Sequence, residues 1–253
     1  MKKFAVFLVA CSCAQLAHSQ LVNIESKRMQ TDSVRFALKA DALLNYSNQN
    51  GETYFATGTN VTTQFKSKDL EKIFFLVGNY NLVRAAGNDF QNSWFLHARY
   101  NQKLSQLLRA EGFIQYQQNQ LLVIDSRFLL GAGVRMKVLS GEHLGAYLGN
   151  AAMYEIEQST DFDQQNHNFR HSAYFSLTYS PKDIGVNLIN TLYFQPLYKS
   201  LANHRVLEQF KIEVPVSRVI SISGTFNYSL ISVTPAGTRD YTSNVLFGLT
   251  FTR

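Results

Sequence analysis

From Val34 to Arg253, apolar and polar residues alternate along the chain in stretches separated by turn-like breaks. The first stretch sets Val34, Phe36, Leu38, Ala40, Ala42, Leu44 and Tyr46 against Arg35, Ala37, Lys39, Asp41, Leu43, Asn45 and Ser47. Successive side chains of a strand point to opposite faces, so this spacing builds one mostly apolar surface and one mostly polar surface. The pattern predicts twelve strands, near 34–47, 52–66, 72–84, 90–104, 108–117, 127–139, 144–157, 171–180, 185–195, 204–214, 219–230 and 241–252. In the fourth, Phe90, Trp94, Leu96, Ala98, Tyr100 and Leu104 oppose Gln91, Ser93, Phe95, His97, Arg99, Asn101 and Lys103. In the eleventh, Ile220, Ile222, Gly224, Phe226, Tyr228 and Leu230 oppose Ser221, Ser223, Thr225, Asn227 and Ser229.

The breaks agree with this reading. Proline cannot donate to a sheet ladder, and Pro181, Pro196, Pro215 and Pro235 all fall between the predicted strands. Asn50-Gly51 and Ser140-Gly141 are turn-type dipeptides between alternating runs. Connections after the even-numbered strands are short, whereas the others include long ones at 118–126, 158–170, 196–203 and 231–240. Short turns at one end and long loops at the other are the habit of a transmembrane β-barrel, with short turns in the periplasm. Two features sit less easily. Glu208 falls on the otherwise apolar face of the tenth strand, where a bulge, a slipped register or a position near the headgroups would account for it. The third and ninth strands are apolar on both faces, as a small plugged interior or a soluble β-sandwich would allow.

The start of the 253-residue chain reads as a secretion signal over 1–19: Lys2 and Lys3, then an apolar run Phe4–Ala10, then small residues at Ala17-His18-Ser19. That run is far shorter than the ~20 residues a membrane-spanning helix needs. Cleavage before Gln20 would remove both lysines, taking the formal charge from +6 to +4, and both cysteines, Cys11 and Cys13. The alternative is a lipoprotein box, Leu8-Val9-Ala10-Cys11, with lipid on Cys11. A periplasmic N-terminal segment over 20–33 and a barrel over 34–253 complete the expected organisation. The pI of about 9.2 comes from scattered basic residues without a basic run, which argues against nucleic-acid binding.

Several blocks also carry a resemblance. They are Gln20–Phe36 (QLVNIESKRMQTDSVRF), Thr63–Lys68 (TQFKSK), Gln91–His97 (QNSWFLH), Met153–Glu157 (MYEIE), Tyr193–Lys199 (YFQPLYK), Leu207–Ile212 (LEQFKI) and Tyr241–Asn244 (YTSN). Together they make the chain similar to the bacterial salt-induced outer membrane protein family, a domain of unknown function (481). The resemblance implies a Gram-negative outer-membrane barrel and brings no substrate or active residue. One departure from such barrels is the end of the chain, Phe251-Thr252-Arg253, where an aromatic terminal residue is usual.

Chemistry is sparse. Five histidines would survive cleavage, His97, His143, His167, His171 and His204, without a zinc-type spacing; His167 and His171 fall where a loop enters a strand. A barrel lipid hydrolase would need a serine within reach of a histidine. Ser93 and His97 share a face but stand roughly 13 Å apart at strand rise, so His97 would need a serine from a neighbouring strand. The polar face is more informative. Arg35, Lys39, Asp41, His97, Arg99, Lys103, Arg109, Glu111, Arg127, Arg135, Lys137, Glu155, Glu157, Arg205, Lys211 and Glu213 are the candidate lumen-lining residues.

The sequence therefore predicts an all-β protein, a transmembrane antiparallel up-and-down β-barrel of about twelve strands in the outer membrane. It is expected to be monomeric and without metal or cofactor, contacting outer-membrane lipids, lipopolysaccharide and the barrel-assembly machinery. The inward charges leave two functions open: a lumen closed by ion pairs in a structural or envelope-adaptive protein, or a small anion-favouring pore. A lipid-modifying enzyme and a secreted soluble ligand-binding barrel or sandwich are the further alternatives.

Overall fold

The computed structural model describes residues 35–49, 52–85, 88–120, 124–159, 165–181, 185–233 and 240–252. The expected signal segment, its two cysteines, residues 20–33, the Asn50-Gly51 dipeptide and Pro235 lie outside the described residues. Twelve strands follow in chain order: β1 (Phe36–Gln49), β2 (Glu52–Lys66), β3 (Lys72–Ala85), β4 (Asn88–Lys103), β5 (Leu108–Asn119), β6 (Ile124–Ser140), β7 (Leu144–Ser159), β8 (Gln165–Tyr179), β9 (Asn187–Leu197), β10 (Ser200–Pro215), β11 (Ile220–Ile231) and β12 (Tyr241–Thr252). Each pairs antiparallel with its sequence neighbours, and β12 returns to β1 to close the barrel. Closure joins the first and last strands of the sheet to each other. The closing seam is short, with four paired positions from Lys39↔Thr252 to Ala42↔Leu249.

The alternation decides which side chains face out. Leu96, Ile114, Leu130, Phe175, Leu192, Ile222 and Phe247 are exposed on the outer wall, whereas Asn101, Glu155, Thr191 and Thr250 are buried inside it. A soluble monomer rarely exposes so continuous an apolar surface. Aromatic pairs mark both rims of the apolar belt. Phe36–Phe65 and Phe74–Tyr100 stand toward the short-turn end, with ring centroids 4.9 and 5.1 Å apart. Trp94–Tyr116 and Tyr154–Phe169 stand toward the long-loop end, at 5.4 and 4.9 Å. Aromatic girdles flanking an apolar band are the signature of a membrane barrel. All strands but the 11-residue β9 exceed the ~9–11 residues that span a bilayer, up to the 17 residues of β6, so the wall continues beyond the belt.

Four expectations need correction. The connections after odd-numbered strands are not longer as a set: 50–51, 86–87, 120–123, 160–164 and 198–199 are as short as 67–71, 104–107, 141–143, 180–186 and 216–219, and 232–240 alone is longer, so the short-turn end is simply the end that carries the connections after even-numbered strands and the long-loop end the opposite one. Pro196 lies within β9, and Pro215 is the last residue of β10. Pro196 is tolerated because the β9–β10 register shifts between Ser200 and His204, and the β8–β9 ladder has no pair between Arg170↔Leu197 and Ala173↔Phe194. Strand β8 begins at Gln165, six residues before the expected start, so part of the supposed loop is wall. Glu208 is not at a bulge: the ladder runs unbroken past it, opposite Leu192 and Tyr228. It faces outward among Val206 and Phe210, and its carboxylate accepts a hydrogen bond from Asn190 Nδ2 at 3.2 Å.

Candidate functional site in the barrel lumen

The inward face holds four layers, which are described from the long-loop end downward. In the uppermost, Glu155 (0 % exposed) is the hub of an arginine cluster. Arg127 donates to Glu155 Oε2 through Nε at 2.8 Å and also through Nη2; Arg170 Nε reaches Oε1 at 3.0 Å, and Arg205 Nη1 reaches Oε2 at 2.8 Å. Arg205 Nη2 also bonds Glu157 Oε2 at 2.9 Å, while Arg170 Nη2 bonds Asn203 Oδ1 at 3.1 Å. Strand pairing explains the convergence. Arg127 stands opposite Glu157 on β6 and β7, and Arg170 stands opposite Met153, one inward step from Glu155. Three guanidiniums and two carboxylates leave one net positive charge, held away from water by side chains that bond one another. Burying charge is tolerable only with this degree of pairing.

The second layer fills the middle. His97 Nδ1 lies 3.0 Å from Gln115 Oε1, and Arg99 Nε donates to His97 Nε2 at 3.3 Å. The arginine can only donate, so Nε2 accepts and Nδ1 carries the proton toward the amide oxygen. Arg99 and Tyr174 both bond Glu111 Oε2, at 3.3 and 3.2 Å. Apolar groups pack between these polar ones. Phe75, Val77 and Phe95 form one buried cluster; Tyr174, Tyr193 and Leu207 form another. These clusters account for the two-faced apolar strands. Two glycines make room: a Cβ on Gly131 would stand 2.2 Å from Phe113 Cζ, and one on Gly149 would stand 2.0 Å from Tyr174 Cε1. One cavity in this layer, lined by residues of β4 to β10, is about 40 Å³.

The third layer spans the closing seam. Glu213 receives Lys211 Nζ at 2.6 Å and Lys39, and Asp41 accepts from Thr250 Oγ1 at 2.7 Å and Asn60 Nδ2 at 3.1 Å. These contacts tie β1, β2, β10 and β12 together where the ladder is shortest. The fourth layer is the short-turn mouth, a cavity of about 700 Å³ whose lining includes Lys103, Arg109, Arg135 and Lys137. There Arg109 Nη1 donates to the Glu71 carbonyl at 3.2 Å, and the Arg135 guanidinium lies 3.6 Å over the Tyr147 ring.

All but one of the candidate lumen residues thus fall in these layers. Arg35 is exposed ahead of β1, because the strand starts one residue later. Arg170, central to the uppermost layer, falls by sequence in the expected loop 158–170, although its parity with Ser172, Tyr174 and Ser176 continues inward. His167 and His171 are not loop residues. They lie on β8, where His167 Nδ1 meets the Tyr154 hydroxyl at 2.7 Å. His171 Nδ1 meets the Tyr198 hydroxyl, and its Nε2 meets Asn150 Oδ1, both at 3.2 Å.

Comparison with known proteins follows from this architecture. The family described as "Protein of unknown function, DUF481" matches residues 18–252. The chain belongs to that family. A comparison with curated protein sequences finds no match. Among solved structures, the DUF481 barrel is similar to the NanC porin (TM-score 0.53, 9 % identity, covering 86 % of this chain and 99 % of the porin chain). It is also similar to the translocator domain of the autotransporter NalP from Neisseria meningitidis (TM-score 0.51, 10 % identity, 99 % and 94 % covered). At such identities the likeness is one of fold: this DUF481 member has the architecture of outer-membrane barrels.

Proposed function

We propose that the protein is an integral outer-membrane β-barrel whose lumen is closed, serving the envelope structurally or adaptively rather than as an enzyme. The observation that carries this reading is the arginine cluster around Glu155, stacked on a middle layer with room for about one water-sized cavity of 40 Å³. The apolar outer belt and its two aromatic rims favour lipid as the surrounding solvent over water. On this reading the chain is exported by its N-terminal signal and inserted by the barrel-assembly machinery. It stands as a monomer among outer-membrane lipids and lipopolysaccharide, with no nucleic-acid partner and no cofactor. The end at which β1 begins and β12 finishes faces the periplasm, as an even strand number allows. Against a hydrolase stands His97, whose two ring nitrogens are engaged by Gln115 and Arg99, leaving neither to deprotonate a serine.

Conductance decides the matter. Protein refolded into detergent, checked by a heat-shifted gel band, is added to a planar bilayer. A closed lumen gives membranes that stay silent, while discrete steps in current overturn it. The second reading, a small anion-favouring pore, draws on the basic lining of the short-turn mouth; it would be supported by such steps with anion selectivity.

A further inference from the structure

The short-turn mouth gathers cations from neighbouring strands. Lys103 on β4 stands directly opposite Arg109 on β5, and Arg109 stands directly opposite Arg135 on β6. Three cations therefore lie in one row across three adjacent strands, about 4.8 Å from one strand to the next. Like charges placed directly opposite destabilise a sheet. Lys137, two residues beyond Arg135 on the same face, extends the row along β6. All four line the 700 Å³ cavity, together with Lys39 and Lys66. The acidic side chains of that lining are Glu142 and Glu213, and Glu213 is already bonded by both Lys39 and Lys211. The volume falls within the ~300–1,000 Å³ of small-molecule sites. The cavity opens between short turns that contribute Leu70, Leu107, Gly141 and Ser180, and it ends against the filled middle layer. It is a cup with a basic wall.

We infer that this cup binds a soluble multivalent anion, one carrying two or more phosphoryl or carboxylate groups spaced like the cations of the row. Arginine offers paired N–H donors that match the oxygens of either group, and the lysines add point charge. A ligand spanning the row would meet cations from three adjacent strands at once. A single small anion meets only part of the row. The cup is lined at one end of the barrel, so binding there is a separate question from conduction through the lumen.

The test is titration calorimetry on the full refolded chain in micelles, with tripolyphosphate, tricarballylate and orthophosphate as the probes. Binding of at least one multivalent probe, about tenfold or more tighter than orthophosphate and weakening as salt rises, is expected. Which of the two binds more tightly assigns phosphoryl or carboxylate chemistry. Arg109→Gln should weaken that binding by about tenfold or more, while Lys199→Gln, on the exposed β9–β10 turn, should leave it unchanged. A second readout separates site from scaffold. Arg109→Gln gives up the bond to the Glu71 carbonyl, so the melting temperature of each protein without ligand serves as its own baseline. The probe should raise the melting temperature of the wild type more than that of the variant. Absence of binding by both multivalent probes, equal affinity for orthophosphate, or an equal loss in Lys199→Gln overturns the inference. Calorimetry in micelles reports nothing about current, so absence of binding overturns the cup and leaves the closed-lumen reading standing, whereas current steps overturn the closed lumen and leave the calorimetric result to decide the cup.

Discussion

Replacing Glu155 with Gln keeps the shape of the side chain and removes the charge that three arginines share. The wild-type cluster carries three guanidiniums against Glu155 and Glu157; the variant leaves Glu157 alone against all three, raising the buried net charge from one to two. Removing one partner of a buried ion pair costs about 3–5 kcal/mol, because the remaining charges stay desolvated. Glu155 is wholly buried, so little solvent screening reduces that figure. With a urea dependence of about 2 kcal/mol per molar, the unfolding midpoint should fall by about 1.5–2.5 M. The single tryptophan, Trp94, provides the fluorescence signal from the outer wall against Tyr116. Glu157→Gln, whose side chain is 21 % exposed, should cost less. Adding Arg170→Gln to Glu155→Gln restores the charge balance and should recover part of the loss. A midpoint for Glu155→Gln within about 0.3 M of wild type, with m unchanged, would mean that Glu155 does not compensate the buried arginines. The closed-lumen argument would then lose its main support.

Three further outcomes are expected. Glu208→Leu should stabilise the refolded barrel by about 1 kcal/mol, since an outward carboxylate among Val206 and Phe210 carries a cost in lipid that one hydrogen bond from Asn190 only partly offsets; an unchanged or lower midpoint refutes it. Gly149→Val should destabilise by about 1–3 kcal/mol, by pushing the Tyr174 ring off its bed and away from Glu111; an equally stable variant would show that the ring has room. In the β2–β3 turn, the Ser67 hydroxyl and the Glu71 backbone N–H donate to Asp69 and hold its carboxyl below the usual aspartate range. A depressed folded value contributes stability above the unfolded pKa and loses it as pH falls through the folded one. Carboxyl NMR should therefore find Asp69 titrating below an ordinary aspartate, with the turn loosening only in that acid window.

Period-two alternation carried most of the architecture. It is a local property: whichever register a strand adopts, Phe36 and Leu38 must share a face opposite Lys39 and Asp41, and one face must meet lipid. Strand number and most of the inward set of charges follow from it, Arg35 and Arg170 excepted. The limits of β8 were not legible, because His167, Asn168 and Arg170 have loop-like composition, and they became wall only through pairing with β7 and β9. Pro196 likewise reads as a break locally, and it is accommodated by irregular pairing on both sides. What sequence could not supply is which inward charges meet. Arg127, Glu155, Arg170 and Arg205 come from four strands, and their contact across the lumen depends on stagger and barrel circumference, quantities that belong to the closed sheet. The same closure decides that Lys39 finds Glu213, 174 positions away, while Lys103, Arg109 and Arg135 are left side by side at the mouth.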